Sequence, residues 1–236
     1  MQRNTLEEVN SYIRSNECDV VVGIDEAGRG TWAGPIVAAA AAVPTNLRLP
    51  AHITDSKKFG SSKKGRAQIA AIYDQFRDHS KIHTGIGVVR ADEIDEMGID
   101  KAQATAQGKA LAQVLSMLPH PPLVVVDGIN PPSVDVNRVR MLMCVPKGDA
   151  LVPAVGLASI IAKATQLRHM VAIDRDFPDY GFASNAGYGT KTHQEALKKF
   201  GPCMCHRYCY RPVKEAAPPP RTEELESLID TLMEEI

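Results

Sequence analysis

No stretch of the 236-residue chain approaches the roughly 20 consecutive apolar residues that a membrane-spanning helix needs. Its hydrophobic runs are short and broken by charge or glycine, so a soluble protein without membrane contact is expected. The N-terminus, Met1-Gln2-Arg3-Asn4-Thr5-Leu6-Glu7-Glu8, lacks the basic-then-apolar order of a secretion signal. It offers a helix cap instead, Thr5 with Glu8 three residues later, and a cytoplasmic location is the default expectation. Paired cysteines are lacking too: Cys18, Cys144, Cys203, Cys205 and Cys209 are odd in number, in a chain too long to need disulfide staples, and read as reduced thiols. Four potential zinc ligands, Cys203, Cys205, His206 and Cys209, fall within seven residues, whereas structural zinc sites usually join two separated pairs, so zinc is not expected. The chain has neither GxGxxG nor GxxxxGK followed by Ser or Thr, which argues against a nucleotide-binding fold, and no GxSxG elbow for nucleophilic hydrolysis.

Net charge is also nearly absent, at -1, which looks wrong for a protein that handles nucleic acid. The distribution changes that reading. One of the 27 basic and six of the 28 acidic residues lie in 216–236, leaving 26 basic against 22 acidic in 1–215. A modest positive excess on the body is compatible with approach to a phosphate backbone. With 44% hydrophobic and 23% charged residues, the composition fits one globular domain with a sizeable core and an appendage.

The apolar run Val20-Val21-Val22-Gly23-Ile24 predicts a buried strand that ends in Asp25-Glu26. Ala38 to Ala42 favour helix by propensity, but the run is short and lies between prolines 35 and 44, so it reads as a strand on which helices pack closely. A third strand over Ile82 to Val89 would complete a meander. Further strands are expected at Leu123 to Val126 and Val139 to Val145. Helices are expected over Lys63 to Phe76, Ala102 to Leu118, Pro153 to about Ile173, and from Thr192, with a capping box to Glu195, to Gly201. The pattern predicts a mixed α/β sheet flanked by helices. Residues 1–18 read as an N-terminal helix, 19–215 as the main domain, and 216–236 as a Pro-rich spacer with an acidic amphipathic helix. That last helix either packs on the body or docks a protein partner.

Carboxylates stand where they are costly. Asp25 and Glu26 end one core strand, Asp127 ends another, and Asp149 follows Cys144-Val145-Pro146-Lys147-Gly148 in a similar position. Any single strand-end acid is ordinarily a turn or cap residue. Four of them, if they converge, repel one another unless protons or hard divalent cations intervene. Adjacent strand residues point to opposite faces, so Asp25 and Glu26 are expected to share a site only if the backbone turns there, as Gly28-Arg29-Gly30 makes plausible.

These residues also resemble a known family. Gly23-Ile24-Asp25-Glu26-Ala27-Gly28-Arg29-Gly30 with Ala33-Gly34-Pro35 is similar to the opening signature of bacterial ribonuclease HII, the type 2 ribonuclease H. Asp55-Ser56-Lys57-Lys58, Val126-Asp127-Gly128, Lys147-Gly148-Asp149-Ala150, Ala158-Ser159-Ile160-Ile161-Ala162-Lys163, Gly187-Tyr188-Gly189-Thr190 and His206-Arg207 follow in the family's order, over roughly residues 20–213. The resemblance implies a ribonuclease H-like α/β fold and a monomeric endoribonuclease acting on RNA–DNA hybrids and on single ribonucleotides embedded in duplex DNA. It implies two Mn²⁺ or Mg²⁺ ions held by Asp25, Glu26, Asp127 and Asp149. In that scheme Asp25 bridges the ions, Asp149 helps hold the one that activates water, and Glu26 and Asp127 hold the one at the leaving oxygen. The cut falls 5′ of the ribonucleotide and leaves 3′-hydroxyl and 5′-phosphate ends. Gly28, Arg29 and Gly30 would read the ribose 2′-hydroxyl through the backbone, and Tyr188 would stack on the sugar that follows. Lys57, Lys58, Lys147, Ser159, Lys163 and Arg207 are the remaining expected substrate contacts, the cations through phosphate.

Two stretches depart from the family pattern. Ser184-Asn185-Ala186 precedes Gly187 where relatives often carry Lys-His-Lys, and Gln166-Leu167-Arg168 replaces the common Arg-Asp-Arg. Weaker phosphate affinity is the expected consequence. A hybrid-binding protein of the same fold with little turnover is therefore the alternative reading. A metal-dependent phosphohydrolase of small molecules is the more distant one.

Overall fold

The computed structural model describes residues 3–16 and 18–216. Five strands, β1 (Val20–Ala27), β2 (Ile36–Pro44), β3 (His83–Val89), β4 (Leu123–Asp127) and β5 (Met141–Val145), form one sheet in the order β3-β2-β1-β4-β5. The first three make an antiparallel meander, and β4 and β5 run parallel to β1, so the sheet is mixed as expected.

Helices cover both faces. The strands' period of two divides their side chains between two apolar layers. Val21, Ala39, Ala41, Leu123 and Val125 face one layer, built by α1 (Leu6–Ser15), α2 (Lys63–Phe76) and the long α6 (Pro153–Asp176). Val22, Ile24, Ala38, Ala40, Ala42, Val124 and Val126 face the other, built by α3 (Ala91–Met97) and α4 (Ile99–Met117). The five alanines of β2 are all buried, and their small side chains let α4 and α6 approach from opposite sides. At Gly23 the approach is closer still: an added Cβ would stand 2.1 Å from the Ala154 carbonyl carbon of α6. The N-terminal helix starts at the Thr5–Glu8 capping box and buries Val9 in the same layer as α6.

A smaller apolar cluster of Ala33, Met170, Tyr180, Phe182, Ala186 and Ala196 joins the far end of α6 to α7 (Phe182–Asn185) and α8 (Lys191–Phe200). The α8 cap differs from expectation: Thr190, not Thr192, accepts the His193 amide, and the helix begins at Lys191. The chain beyond Ala216, the end of α9 (Arg211–Ala216), lies outside the described residues, and with it the expected spacer and acidic helix. Among the described residues no helix is long and apolar enough to cross a membrane.

Candidate active site

Strand parity gathers the acids. Asp25 shares a face with Val21, and Asp127 shares it with Leu123 and Val125, so both carboxylates point toward α6. In the parallel register Val126 lies beside Ile24 and Asp127 beside Val145, which sets the end of β4 between β1 and β5. After β5, Lys147 takes a left-handed backbone conformation (φ 61°) and starts the short helix α5 (Gly148–Leu151), whose first turn carries Asp149. Asp149 is therefore presented by a helix start. The Gly148 amide donates to Asp127 Oδ1 at 2.8 Å and ties the two acids together. One oxygen each of Asp25, Asp127 and Asp149 lies within 4.8 Å of the others.

Glu26 stands apart from this triad. The expected turn does not occur, because β1 runs on to Ala27 and Glu26 faces the α4 layer. There Gln107 Nε2 donates to Glu26 Oε2 at 2.9 Å. Glu26 thus flanks the triad from the opposite side of β1, still close enough to feel the charge of Asp127.

Burial, and then the charges of Glu26 and Asp127, push the Asp25 carboxyl well above its usual range, while hydrogen bonds from Ser159 and the Glu26 amide pull against the shift. Burial likewise raises Glu26, against the Gln107 hydrogen bond. Asp149 is raised by burial and by the charges of Asp127 and Asp55. The only countercharge on this triad among the described ion pairs is Lys57, whose Nζ stands 3.5 Å from Asp149 and 3.6 Å from Asp55. Buried oxygen donors that repel one another and converge on one point suit a hard divalent cation.

The residues expected to contact substrate occupy different settings, and one of them is buried away from any phosphate. Gly28 follows β1 at φ 84°, and the position of a Gly30 Cβ is open, with nothing within 4 Å. Arg29 points outward to Asp100 at 2.6 Å. Lys57 and Lys58 lie on a 3-10 turn, Ser56–Phe59, held to α6 where the Ser56 amide donates to Ser159 Oγ at 3.3 Å. Ser159 is itself buried under Asp25, and Lys147 is exposed. One turn further along α6, Lys163 donates to Gln166 at 2.9 Å and stands 5.5 Å from the Tyr188 ring. Burial and the charge of Arg66 lower Lys163 to about 8. Arg207, expected to reach phosphate, is fully buried: its Nε donates to the Gly34 carbonyl at 2.8 Å and its Nη1 to the Arg29 carbonyl at 3.1 Å. It shapes the Gly28–Gly34 loop from inside.

Three residues of this neighbourhood, Gln103, Gln107 and Arg66, escape the sequence pattern, and a fourth, Asp55, is present in it without a role. Asp55 faces Lys57 and Asp149. Gln103 and Gln107, one helical turn apart on the alanine-rich α4, are buried beside Glu26, and that pair of polar residues on an apolar face was a usable signal. Arg66 holds the Ala183 and Ser184 carbonyls and, with Lys163, Ser184 and Tyr188, lines a cleft of about 310 Å³. Cations reaching in from α2 and α6 thus stand beside the stretch where the family pattern led one to expect them on the loop.

A mixed sheet that presents an acidic triad between two helical layers defines a metal-dependent nuclease of the ribonuclease H fold. The ribonuclease H2 of Pyrococcus horikoshii OT3 shares the architecture, with a TM-score of 0.59 at 22% identity over 84% of this chain and 96% of that one. So does Bst-RNase HIII in complex with Mn²⁺, with a TM-score of 0.62 at 19% identity over 84% and 68%. The chain belongs to the ribonuclease HII family, whose model matches residues 22–213. It is 40% identical over 194 residues to ribonuclease HII of Dichelobacter nodosus, covering 82% of this chain and 95% of that protein. Against ribonuclease HII of Chlamydia pneumoniae it is 38% identical over 202 residues, covering 85% and 87%. It is a metal-dependent ribonuclease, a hydrolase with the ribonuclease H activity of its family on RNA–DNA hybrids.

Proposed function

We propose that the protein nicks duplex DNA on the 5′ side of embedded single ribonucleotides, as well as cutting the RNA strand of longer hybrids. The observation that carries this reading is the convergence of Asp25, Asp127 and Asp149 within 4.8 Å, beside a loop whose Gly30 leaves room for a backbone to approach. Asp25, Asp127 and Asp149, together with Glu26 on the opposite side of β1, would hold two Mn²⁺ or Mg²⁺ ions. When bound, such ions make water a nucleophile at neutral pH and offset charge on the leaving oxygen.

The protein's own groups do the rest. Backbone groups of the Gly28-Arg29-Gly30 turn meet the ribose 2′-hydroxyl, since glycine allows contact without a side chain in between. Tyr188, 45% exposed, offers its ring to the sugar that follows. Lys57, Lys58, Lys147 and Lys163 hold phosphates. Ser159 fixes both Asp25 and the turn that carries the lysines. Residues 19–215 act as the catalytic unit, with α1 packed on it.

The test is a duplex carrying one ribonucleotide. A single nick 5′ to it in Mn²⁺, with 3′-hydroxyl and 5′-phosphate ends, abolished by EDTA, is the expected result. Binding without cleavage would favour the alternative, a hybrid-binding protein of low turnover.

A further inference from the structure

Two buried histidines away from the acids lie on the path to the substrate-facing tyrosine. His193, on α8, and His206 are 0% and 1% exposed, and their Nε2 atoms stand 3.0 Å apart. An aromatic box encloses them: Trp32 and Phe182 lie 5.8 and 5.3 Å from the His193 ring, and Tyr180 lies 4.9 Å from that of His206. The Cys203 amide donates to His206 Nδ1 at 3.0 Å. A backbone N–H is an obligatory donor, so Nδ1 carries the lone pair and the His206 proton sits on Nε2. That proton can go only to a lone pair on His193 Nε2. The His193 proton is then on Nδ1, where it donates to the Tyr188 carbonyl at 2.9 Å. The Cys203 thiol stands 3.2 Å from the same Nδ1, and burial lowers the His193 pKa.

The surrounding backbone is laced to the same pair. Trp32 N–H donates to the Gly187 carbonyl and Arg207 N–H to the Trp32 carbonyl, each at 2.8 Å. Ala33 bridges His206. The Tyr188 carbonyl takes the Thr190 amide on one lone pair at 2.7 Å and His193 on the other. Two fixed donors on one carbonyl leave the Tyr188 peptide little freedom, and ring position follows the backbone that carries it.

We propose that His193 and His206 are positioning residues: a neutral imidazole pair that runs from the Cys203 amide to the Tyr188 carbonyl and sets the Tyr188 ring where it meets the substrate. The proposal rests on the reading of Tyr188 as a substrate contact. The experiment has two arms. Long-range ¹H–¹⁵N spectra of the full chain should show His193 as the Nδ1–H tautomer and His206 as the Nε2–H tautomer; the opposite tautomers, or a charged ring at neutral pH, overturn the relay whatever the activity. In the second arm, His193→Leu should lower kcat/KM on the single-ribonucleotide duplex about 10-fold. His193→Asn, whose amide N–H falls where Nδ1–H stood, should recover most of that loss. In a Tyr188→Ala background His193→Leu should cost less than about 2-fold, because residues that act as one unit are not additive. Additive losses would overturn the proposal. A wild-type protein that ignores the ribonucleotide would instead overturn the reading of the substrate, with the tautomers unaffected.

Discussion

Burial, and the charges of Glu26 and Asp127, keep the Asp25 carboxyl well above its usual range, so at neutral pH the metal-free fold carries an electrostatic penalty at this one side chain. Asp25, Glu26 and Asp149 are all shifted upward. The stabilisation from protonating them is fully present below the ordinary carboxylate range and is lost as pH rises through their raised folded values. In EDTA, the melting temperature should therefore fall across that window, and Asp25→Asn should flatten the fall. At neutral pH the variant should melt roughly 2–6 °C higher, the shift that about 1–2 kcal/mol produces in a chain of this size. The same substitution should cut cleavage by about 10³-fold or more while gel-shift affinity for a hybrid holds, since an electrostatic anchor of the transition state is gone. A variant no more stable than wild type, or one that still cleaves, contradicts the assignment. Gly30 offers the complementary case: its Cβ position is empty, so Gly30→Ala should leave the melting temperature within about 1 °C. Cleavage at a ribonucleotide should nonetheless drop about 10-fold, because the added methyl occupies space the substrate backbone needs. Unchanged kinetics would remove Gly30 from the interface.

At the scale of elements, what the sequence made legible was period and polarity. The strand beginning at Val20, the alanine strand, α2 and α6 all follow from apolar spacing and proline stops, and the structure has each of them. Placement of the acids needed tertiary information. Asp25 and Glu26 were expected to share a turn, yet β1 continues through both, and only the positions of α6 and α4 reveal that one acid faces each layer. Asp149 read as a strand end, but the left-handed Lys147 converts the exit of β5 into a helix start, a local geometry that residue type does not announce for a lysine. The resemblance puts Arg207 at phosphate, where its fork would suit; its burial against the Gly34 and Arg29 carbonyls follows from contacts more than 170 positions away in sequence. Gln107 gives α4 a functional edge. Gln107→Leu removes the hydrogen bond that opposes the upward shift of Glu26. The Mn²⁺ concentration for half-maximal cleavage should rise about 10-fold, in the range found when a partner orienting a metal ligand is lost. An unchanged metal requirement would show that Glu26 positions itself without α4.

For the whole molecule, the ends of β1 and β4 and the start of α5 bring three carboxylates together, and lysines from the 3-10 turn and α6 lie on the same side of the sheet. Charge is partitioned along the chain as well: the acidic excess of 216–236 is separated from a body with more basic than acidic residues. The central claim is that Asp25, Asp127 and Asp149 form one site for divalent cations, the site at which the hybrid is cut. Crystals soaked in Mn²⁺ and measured at the manganese absorption edge test it directly. Anomalous peaks are expected within about 2 Å of carboxylate oxygens of all three residues, the bond length hard cations of this size adopt with oxygen. Peaks confined to the histidine and cysteine groups near residues 193–209, or none at the triad, would contradict it.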